Sequence, residues 1–97
     1  MMLTIDNIKQ AVLILAPKYD VSKVELFGSY ANGVATENSD ADFLVRFSAE
    51  TPSIFKVLGF KAELTKALNH PVDVVTLPLK KPDKLKIDKV VSIYERA

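Results

Sequence analysis

The chain has 97 residues, 48% of them hydrophobic and 26% charged, with a formal net charge of +1. These values predict a single globular domain, residues 1–97, and exclude a disordered chain. The sequence contains no cysteine, which excludes disulfides, thiolate metal sites and cysteine nucleophiles. The near-neutral charge gives no reason to expect direct binding to nucleic acid.

No segment is expected to cross a membrane. The longest apolar run, Ala11 to Ala16, is far shorter than the roughly 18–20 residues that a span requires. A secretory signal is not expected either, since Asp6 lies where such a signal is basic and Pro17 follows the short apolar run. We therefore expect a cytoplasmic protein.

The first predicted element is a helix that begins after Thr4, a residue type that commonly caps helix N-termini. Its apolar residues recur at helical spacing and are Ile5, Ile8, Val12 and Leu15. Pro17 is expected to kink or end this helix, and a last turn reaches Tyr19 at the furthest. In residues 22–27, Val24 and Leu26 alternate with Lys23, Glu25 and Phe27, which predicts a strand, and Gly28 and Ser29 end that strand.

Residues 42–47 are mostly apolar, which predicts a second strand in the centre of its sheet. The pair Thr51-Pro52 predicts the start of a second helix, with threonine at the cap and proline at the first helical position. This helix is expected to end near Asn69. Its predicted buried stripe consists of Val57, Phe60, Leu64, Ala67 and Leu68.

Residues 72–77 are predicted to form a third strand, and Pro78 and Pro82 bracket a loop. The C-terminal segment has two interpretations: a short helix over 84–88 followed by a strand over 90–94, or one helix over 83–95. Its lysines are interpreted as a solvated face. The order of elements predicts an α/β or α+β domain, in which one small mixed sheet is flanked by helices.

The stretch from Gly28 to Asp42 carries the candidate chemistry. Residues two apart on a strand point to the same side, so Asp40 and Asp42 are expected to project their carboxylates together while Ala41 faces the core. Two such carboxylates repel each other unless a cation lies between them, and Mg²⁺ prefers oxygen ligands. Asp40 and Asp42 are therefore candidate Mg²⁺ ligands.

The other end of this stretch offers groups that suit an anion. Gly28 lets the backbone approach a ligand closely, and Ser29 adds a hydroxyl. Residues 30–33 are long enough for one helical turn, and the amide groups at the start of such a turn bind phosphate. The two ends together suit a nucleoside triphosphate with bound Mg²⁺.

Asp73 is the candidate for a third carboxylate, because it interrupts an otherwise apolar run in a neighbouring predicted strand. It would complete a two-metal site or accept the proton of an attacking hydroxyl. The competing interpretation is structural, with Asp73 on the wet face of an edge strand. Tyr30 is either a loop anchor or a platform that stacks on a base, and His70 is expected to be an exposed turn residue rather than a base.

Gly28-Ser29, ten residues and then Asp40-Ala41-Asp42 resemble the GSx10DxD motif of the polymerase-β-like nucleotidyltransferase superfamily. Asp73 matches the position of the third acid of that superfamily. The chain resembles in particular the minimal nucleotidyltransferases, which are single-domain proteins of about this length, and the resemblance covers nearly the whole chain. It implies the polymerase-β-like nucleotidyltransferase fold.

The resemblance also implies a site and a reaction. Asp40, Asp42 and Asp73 would bind Mg²⁺, two ions in all, and Gly28 and Ser29 would hold the triphosphate of ATP. AMP would pass to a hydroxyl with release of pyrophosphate. Many minimal nucleotidyltransferases are antitoxins that adenylylate a tyrosine of a HEPN-domain ribonuclease toxin, so such a toxin is the expected partner. The short chain also leads us to expect an acceptor presented by another protein or by a second copy of this chain.

One position departs from the family pattern, because Asn32 stands where family members often carry arginine. Lys23, Arg46 and Lys61 are the candidates for supplying the missing positive charge. Two rival functions remain open: a non-catalytic antitoxin that neutralises its partner by occlusion, and a transferase acting on a small molecule such as an aminoglycoside. The intact acids argue against the first rival, and the lack of a substrate-binding domain argues against the second.

Overall fold

Two helices and four strands follow one another in the described part of the chain. They are α1 (Ile5–Lys18), β1 (Val21–Phe27), β2 (Ala41–Phe47), α2 (Ile54–Leu68), β3 (Val72–Leu77) and β4 (Val91–Glu95). The computed structural model describes residues 3–28, 30, 31, 33, 35, 39–49, 51–77 and 90–96. Within these ranges, no helix is both long and apolar enough to cross a membrane.

Helix α1 begins and ends as its sequence predicts. The hydroxyl of Thr4 accepts a hydrogen bond from the Asn7 backbone N–H at 3.1 Å, which confirms the expected N-cap. Pro17 occupies the last turn, where it lacks an N–H to donate to the preceding turn, and the helix ends one residue later at Lys18. The buried face consists of Ile8, Val12, Leu15 and Ala16.

Helix α2 begins later than predicted. Its N-cap is Ser53, whose hydroxyl accepts from the Phe55 N–H at 3.2 Å, so the expected start at Thr51-Pro52 is wrong. The end near Asn69 is confirmed, since Asn69 adopts the left-handed conformation that commonly closes a helix. Phe60, Leu64 and Leu68 are buried as predicted. Ala67 is exposed and lines a groove beside α1, so its place in the buried stripe was wrong.

The four strands form one mixed sheet in the order β3-β2-β1-β4, which confirms the predicted fold class. Strand β1 is antiparallel to both β2 and β4, and β2 is parallel to β3 through the crossover helix α2. Strand β2 is central, as expected. Strand β4 excludes one helix over 83–95, because residues 91–95 pair with β1 instead. The loop at Pro78 and Pro82 and the helix over 84–88 lie outside the described residues.

The core lies between the two helices and one face of the sheet. Helix α1 packs on β1 and β4, α2 packs on β3, and the helices pack on each other. On β2 the core residues are Ala41, Phe43, Val45 and Phe47. Because side chains alternate along a strand, Asp42 lies on the opposite face, away from both helices. The fold therefore presents Asp42 on the side of the sheet that the helices leave open.

Candidate active site

Asp42 and Asp73 lie directly opposite each other on neighbouring parallel strands. The residues before them, Ala41 and Val72, are also a register pair, and both are buried on the core side. Asp42 and Asp73 therefore share the opposite face, across a strand spacing of about 4.8 Å. The structure brings together these two acids, which lie 31 positions apart in the sequence numbering.

The carboxylates near Asp42 act on one another electrostatically. Burial raises the pKa of Asp42 above its ordinary value, and the negative charges of Asp73 and then Asp40 raise it further. Asp40 is exposed just before β2, while Ala41 between them is fully buried, as the strand alternation predicts. Asp42 thus lies in a field of like charge that a cation would relieve.

The backbone at Gly28 lies close to the carboxylate of Asp42. Its φ of +77° is a conformation that side-chain-bearing residues rarely adopt. A β-carbon at this position would overlap Oδ2 of Asp42 and would lie 3.3 Å from its Cγ. The preceding residue, Phe27, is the register partner of Asp42. The two ends of the Gly28–Asp42 stretch therefore meet in space.

The donor set suits Mg²⁺. Asp40, Asp42 and Asp73 offer oxygen donors only. Burial is the largest cause of the raised pKa of Asp42, and the negative charges of Asp73 and Asp40, which raise it further, are ones that a divalent cation would neutralise. Within the described residues, no three acidic or histidine side chains are close enough together to surround one ion. When bound, Mg²⁺ would offset the charge of a nucleotide triphosphate. The role of the three acids as its ligands stays a prediction.

Lys61 is the cation nearest to these acids among the three that the sequence proposes. Its Nζ lies 4.0 Å from Oδ1 of Asp73. Lys23 and Arg46 are a register pair further along the sheet, and Lys23 lies 3.9 Å from Glu25. Arg46 is four residues beyond Asp42, or about 13 Å along the strand. Of the three candidates, Lys61 is therefore the one whose positive charge lies beside one of the acids.

Residues 5–94 match the family model described as nucleotidyltransferase domain. The chain belongs to this family. It is also similar to the protein adenylyltransferase MntA of Thermococcus cleftensis, with 36% identity over 78 residues that cover 76% of this chain and 78% of that protein. The expected enzyme class, nucleotidyltransferase, is confirmed.

Solved structures share the fold of this nucleotidyltransferase. A chain from the crystal structure of a toxin–antitoxin with AMP-PNP aligns with a TM-score of 0.74 and 22% identity, covering 90% of this chain and 73% of that one. A structure of a tri-AMPylated Shewanella oneidensis HEPN toxin in complex with MNT antitoxin gives a TM-score of 0.69 and 18% identity. The alignment covers 95% of this chain and 73% of that one. These matches support the nucleotidyltransferase fold.

Gly28 is the residue of the predicted triphosphate-binding pair that the structure describes. Ser29 and Asn32 lie outside the described residues. Gly28 is described, and its close neighbour is the Asp42 carboxylate. The binding of a triphosphate by Gly28 and Ser29 therefore stays a prediction.

The prediction that His70 is an exposed turn residue was wrong. The residue is only 7% exposed, and its Nε2 lies 2.6 Å from the carbonyl oxygen of Ser39, immediately before Asp40. The Tyr30 ring contacts the imidazole edge to face, with centroids 5.6 Å apart. This contact favours the loop-anchor interpretation of Tyr30. The sequence around His70 carries no signal for its burial, since the residues that cover it lie more than 30 positions earlier.

Proposed function

We propose that this nucleotidyltransferase transfers AMP from ATP to a tyrosine hydroxyl of a HEPN-domain toxin and thereby acts as its antitoxin in the cytoplasm. Asp40, Asp42 and Asp73 would hold Mg²⁺, and Gly28 and Ser29 would hold the triphosphate. The observation that carries the proposal is the row formed by Gly28, Asp42 and Asp73 on the open face of the sheet. This row combines a close backbone approach with facing carboxylates.

The chemistry requires an acceptor oxygen, a leaving group and a place for one proton. The acceptor oxygen forms a bond to the α-phosphorus of ATP, the bond from that phosphorus to the bridging oxygen breaks, and pyrophosphate leaves. The hydroxyl proton passes to a base, for which we propose Asp73. Its side chain is 59% exposed, so an incoming hydroxyl has access to it.

A protein acceptor agrees with the names of the similar proteins. The Thermococcus cleftensis relative is named a protein adenylyltransferase. The structurally similar Shewanella oneidensis antitoxin is bound to a HEPN toxin that carries AMP groups. Asp73 also lies on β3, which is the terminal strand of the described sheet. A second protein can approach the row from that edge.

The decisive experiment follows labelled AMP. The chain is incubated with α-labelled ATP, Mg²⁺ and the HEPN-domain protein encoded beside it, and mass spectrometry locates the label. Label is expected on a partner tyrosine, and it should disappear with Asp40→Asn and Asp42→Asn. Glu95→Gln is the matched control, because Glu95 is an exposed acid on β4, at the opposite edge of the sheet from Asp73 on β3.

Other outcomes identify the rival functions. Inhibition of the partner without any label would show occlusion by a non-catalytic antitoxin. Label on an added aminoglycoside, with none on the partner, would show a small-molecule transferase. Label on this chain alone would show self-modification. Each of these results contradicts the proposed function.

A further inference from the structure

His70 occupies an unusual position in this fold. Among the described residues it is the one polar side chain that is buried. It follows Asn69, which closes α2 in the left-handed conformation, and its backbone N–H donates to the Thr65 carbonyl at 3.3 Å. The turn that holds it is thus fixed to the end of α2. Two residues later the chain enters β3, which carries Asp73.

The segment His70-Pro71 holds the backbone on both sides of Asp40. Nε2 of His70 lies 2.6 Å from the Ser39 carbonyl oxygen. Because a carbonyl oxygen only accepts, this nitrogen carries the proton and donates it. On the other side of Asp40, the Ala41 N–H donates to the Pro71 carbonyl at 3.1 Å. Two hydrogen bonds from one turn therefore bracket Asp40.

The same imidazole contacts the other end of the loop. Tyr30 lies two residues after Gly28, and its ring meets the imidazole edge to face at an angle of 89°. The Tyr30 hydroxyl lies 3.3 Å from Nε2. His70 is therefore placed between the residue that follows the glycine turn and the residue that precedes the first acid. It connects both ends of the loop to the strand of the third acid.

We propose that His70 is a positioning residue, which holds the main chain at Asp40 so that the Asp40 carboxylate can serve as a ligand of bound Mg²⁺ beside Asp42. The inference rests on the proposed function to the extent that Asp40 is a Mg²⁺ ligand there. The positioning depends on the hydrogen bond that Nε2–H donates, and it depends less on the space that the imidazole ring fills. An amide donor at the same reach should replace the imidazole, and an apolar side chain of similar size should not.

Two substitutions separate donation from packing. His70→Gln retains an N–H donor at about the reach of Nε2, and His70→Leu fills the space without a donor. If His70 only packed, Leu would serve at least as well as Gln in this buried position. If it positions Asp40, Gln should preserve function and Leu should not. His70→Asn, whose shorter amide does not reach the Ser39 carbonyl, is expected to behave as Leu does.

The first measurement does not depend on catalysis. Mn²⁺ is titrated by electron paramagnetic resonance into each folded variant in the presence of AMP-PNP, and thermal unfolding confirms that the variant is folded at the assay temperature. We expect Leu and Asn to weaken Mn²⁺ binding at least tenfold and Gln to stay within about threefold of the wild type. If the His70→Leu variant does not fold, the Mn²⁺ affinities of His70→Asn and His70→Gln are compared instead.

The second measurement is the transfer rate, with kcat and KM determined separately. We expect a lower kcat for Leu and Asn, with rescue by Gln. The inference is overturned if the Leu or Asn variant binds Mn²⁺ as the wild type does, or if Gln and Leu lose affinity equally. A wild type that binds Mn²⁺ but labels no partner would instead refute the proposed function, and the ranking of Mn²⁺ affinities would still test His70.

Discussion

Asp42 and Asp73 face each other as a register pair on parallel strands, two like charges one strand spacing apart. Like charges directly opposite each other destabilise a sheet, and interactions between exposed charges amount to roughly 0.2–1 kcal/mol. The raised pKa of Asp42 has burial as its largest cause and the charge of Asp73 as the next. The arrangement therefore lowers stability in the absence of a cation, which is typical of a site organised for a ligand.

Asp42→Asn should accordingly stabilise the metal-free protein while abolishing transfer. At pH 7 in EDTA we expect the variant to gain about 0.2–1 kcal/mol in the free energy of unfolding, because one charge of the facing pair is removed. Urea denaturation measures this gain. Addition of Mg²⁺ with AMP-PNP should then stabilise the wild type and leave the variant unchanged, because only the wild type binds the cation. A variant less stable than the wild type in EDTA would contradict the expectation.

The pH dependence of this gain follows from the sign of the pKa shift. The folded state holds the Asp42 proton more tightly than the unfolded state, in which its pKa is near the ordinary value of 3.8. Stability therefore falls as pH rises from that value through the raised folded pKa. The difference between Asp42→Asn and wild type should be full above this window and vanish below it. Urea midpoints at a series of pH values check this, and a constant difference would refute it.

Gly28→Ala should inactivate the enzyme, and Gly33→Ala should not do so to the same extent. Both glycines have positive φ, +77° and +73°, so both substitutions strain the backbone by about 1–2 kcal/mol. Only at position 28 would the new β-carbon overlap the Asp42 carboxylate, since at position 33 no atom of the described residues lies within 4 Å of it. We expect Mn²⁺ affinity to fall at least tenfold for Gly28→Ala alone. Equal losses in the two variants would show that strain, rather than the overlap, is responsible.

Lys61→Met should weaken nucleotide binding modestly. Its Nζ lies 4.0 Å from Asp73, so it is the nearest described lysine to the acids that can meet triphosphate charge. An exposed charge pair is worth roughly 0.2–1 kcal/mol, so KM for ATP should rise about twofold to fivefold, more at low salt. Lys23→Met is the matched control and should leave KM unchanged. A change in kcat alone, with KM constant, would exclude a role in nucleotide binding.

The sheet and the shared face of Asp42 and Asp73 could be predicted from the sequence, because both follow from patterns within short segments of the chain. Because side chains alternate along a strand, Asp42 lies on the face of the sheet opposite to that of its neighbour Ala41. The spacing of the motif identifies the acids from the sequence alone. The start of α2 was less predictable, because Thr51 and Ser53 are both good caps and only the tertiary position of the chain decides between them.

The environment of His70 could not be predicted, because it depends on contacts remote in sequence. The tripeptide Asn-His-Pro is typical of an exposed turn. His70 contacts Ser39 and Tyr30, and single-sequence patterns carry no information about contacts over such a distance in the chain. The exposure of Ala67 has a similar origin, since the groove beside α1 depends on how the two helices meet.

Gly59 lies against the Tyr19 ring, and whether Gly59→Ala raises or lowers the free energy of unfolding tests how firmly that ring is held. A β-carbon at position 59 would lie 2.7 Å from Cε1 of Tyr19. The ring is held in place, because its hydroxyl donates to the Glu63 carboxylate and its edge meets Phe60 at a centroid distance of 6.1 Å. Tyr19 therefore has little freedom to move aside.

Gly59→Ala should destabilise the wild type and stabilise a Tyr19→Ala background. Overpacking typically costs about 1–3 kcal/mol, whereas alanine gains about 1 kcal/mol over glycine in a helix. We therefore expect a net loss of about 1 kcal/mol in the wild type. Without the ring, only the helical gain of about 1 kcal/mol remains. Urea midpoints of the four proteins in this double-mutant cycle measure both effects, and a stabilising Gly59→Ala in the wild type would show that the ring yields readily.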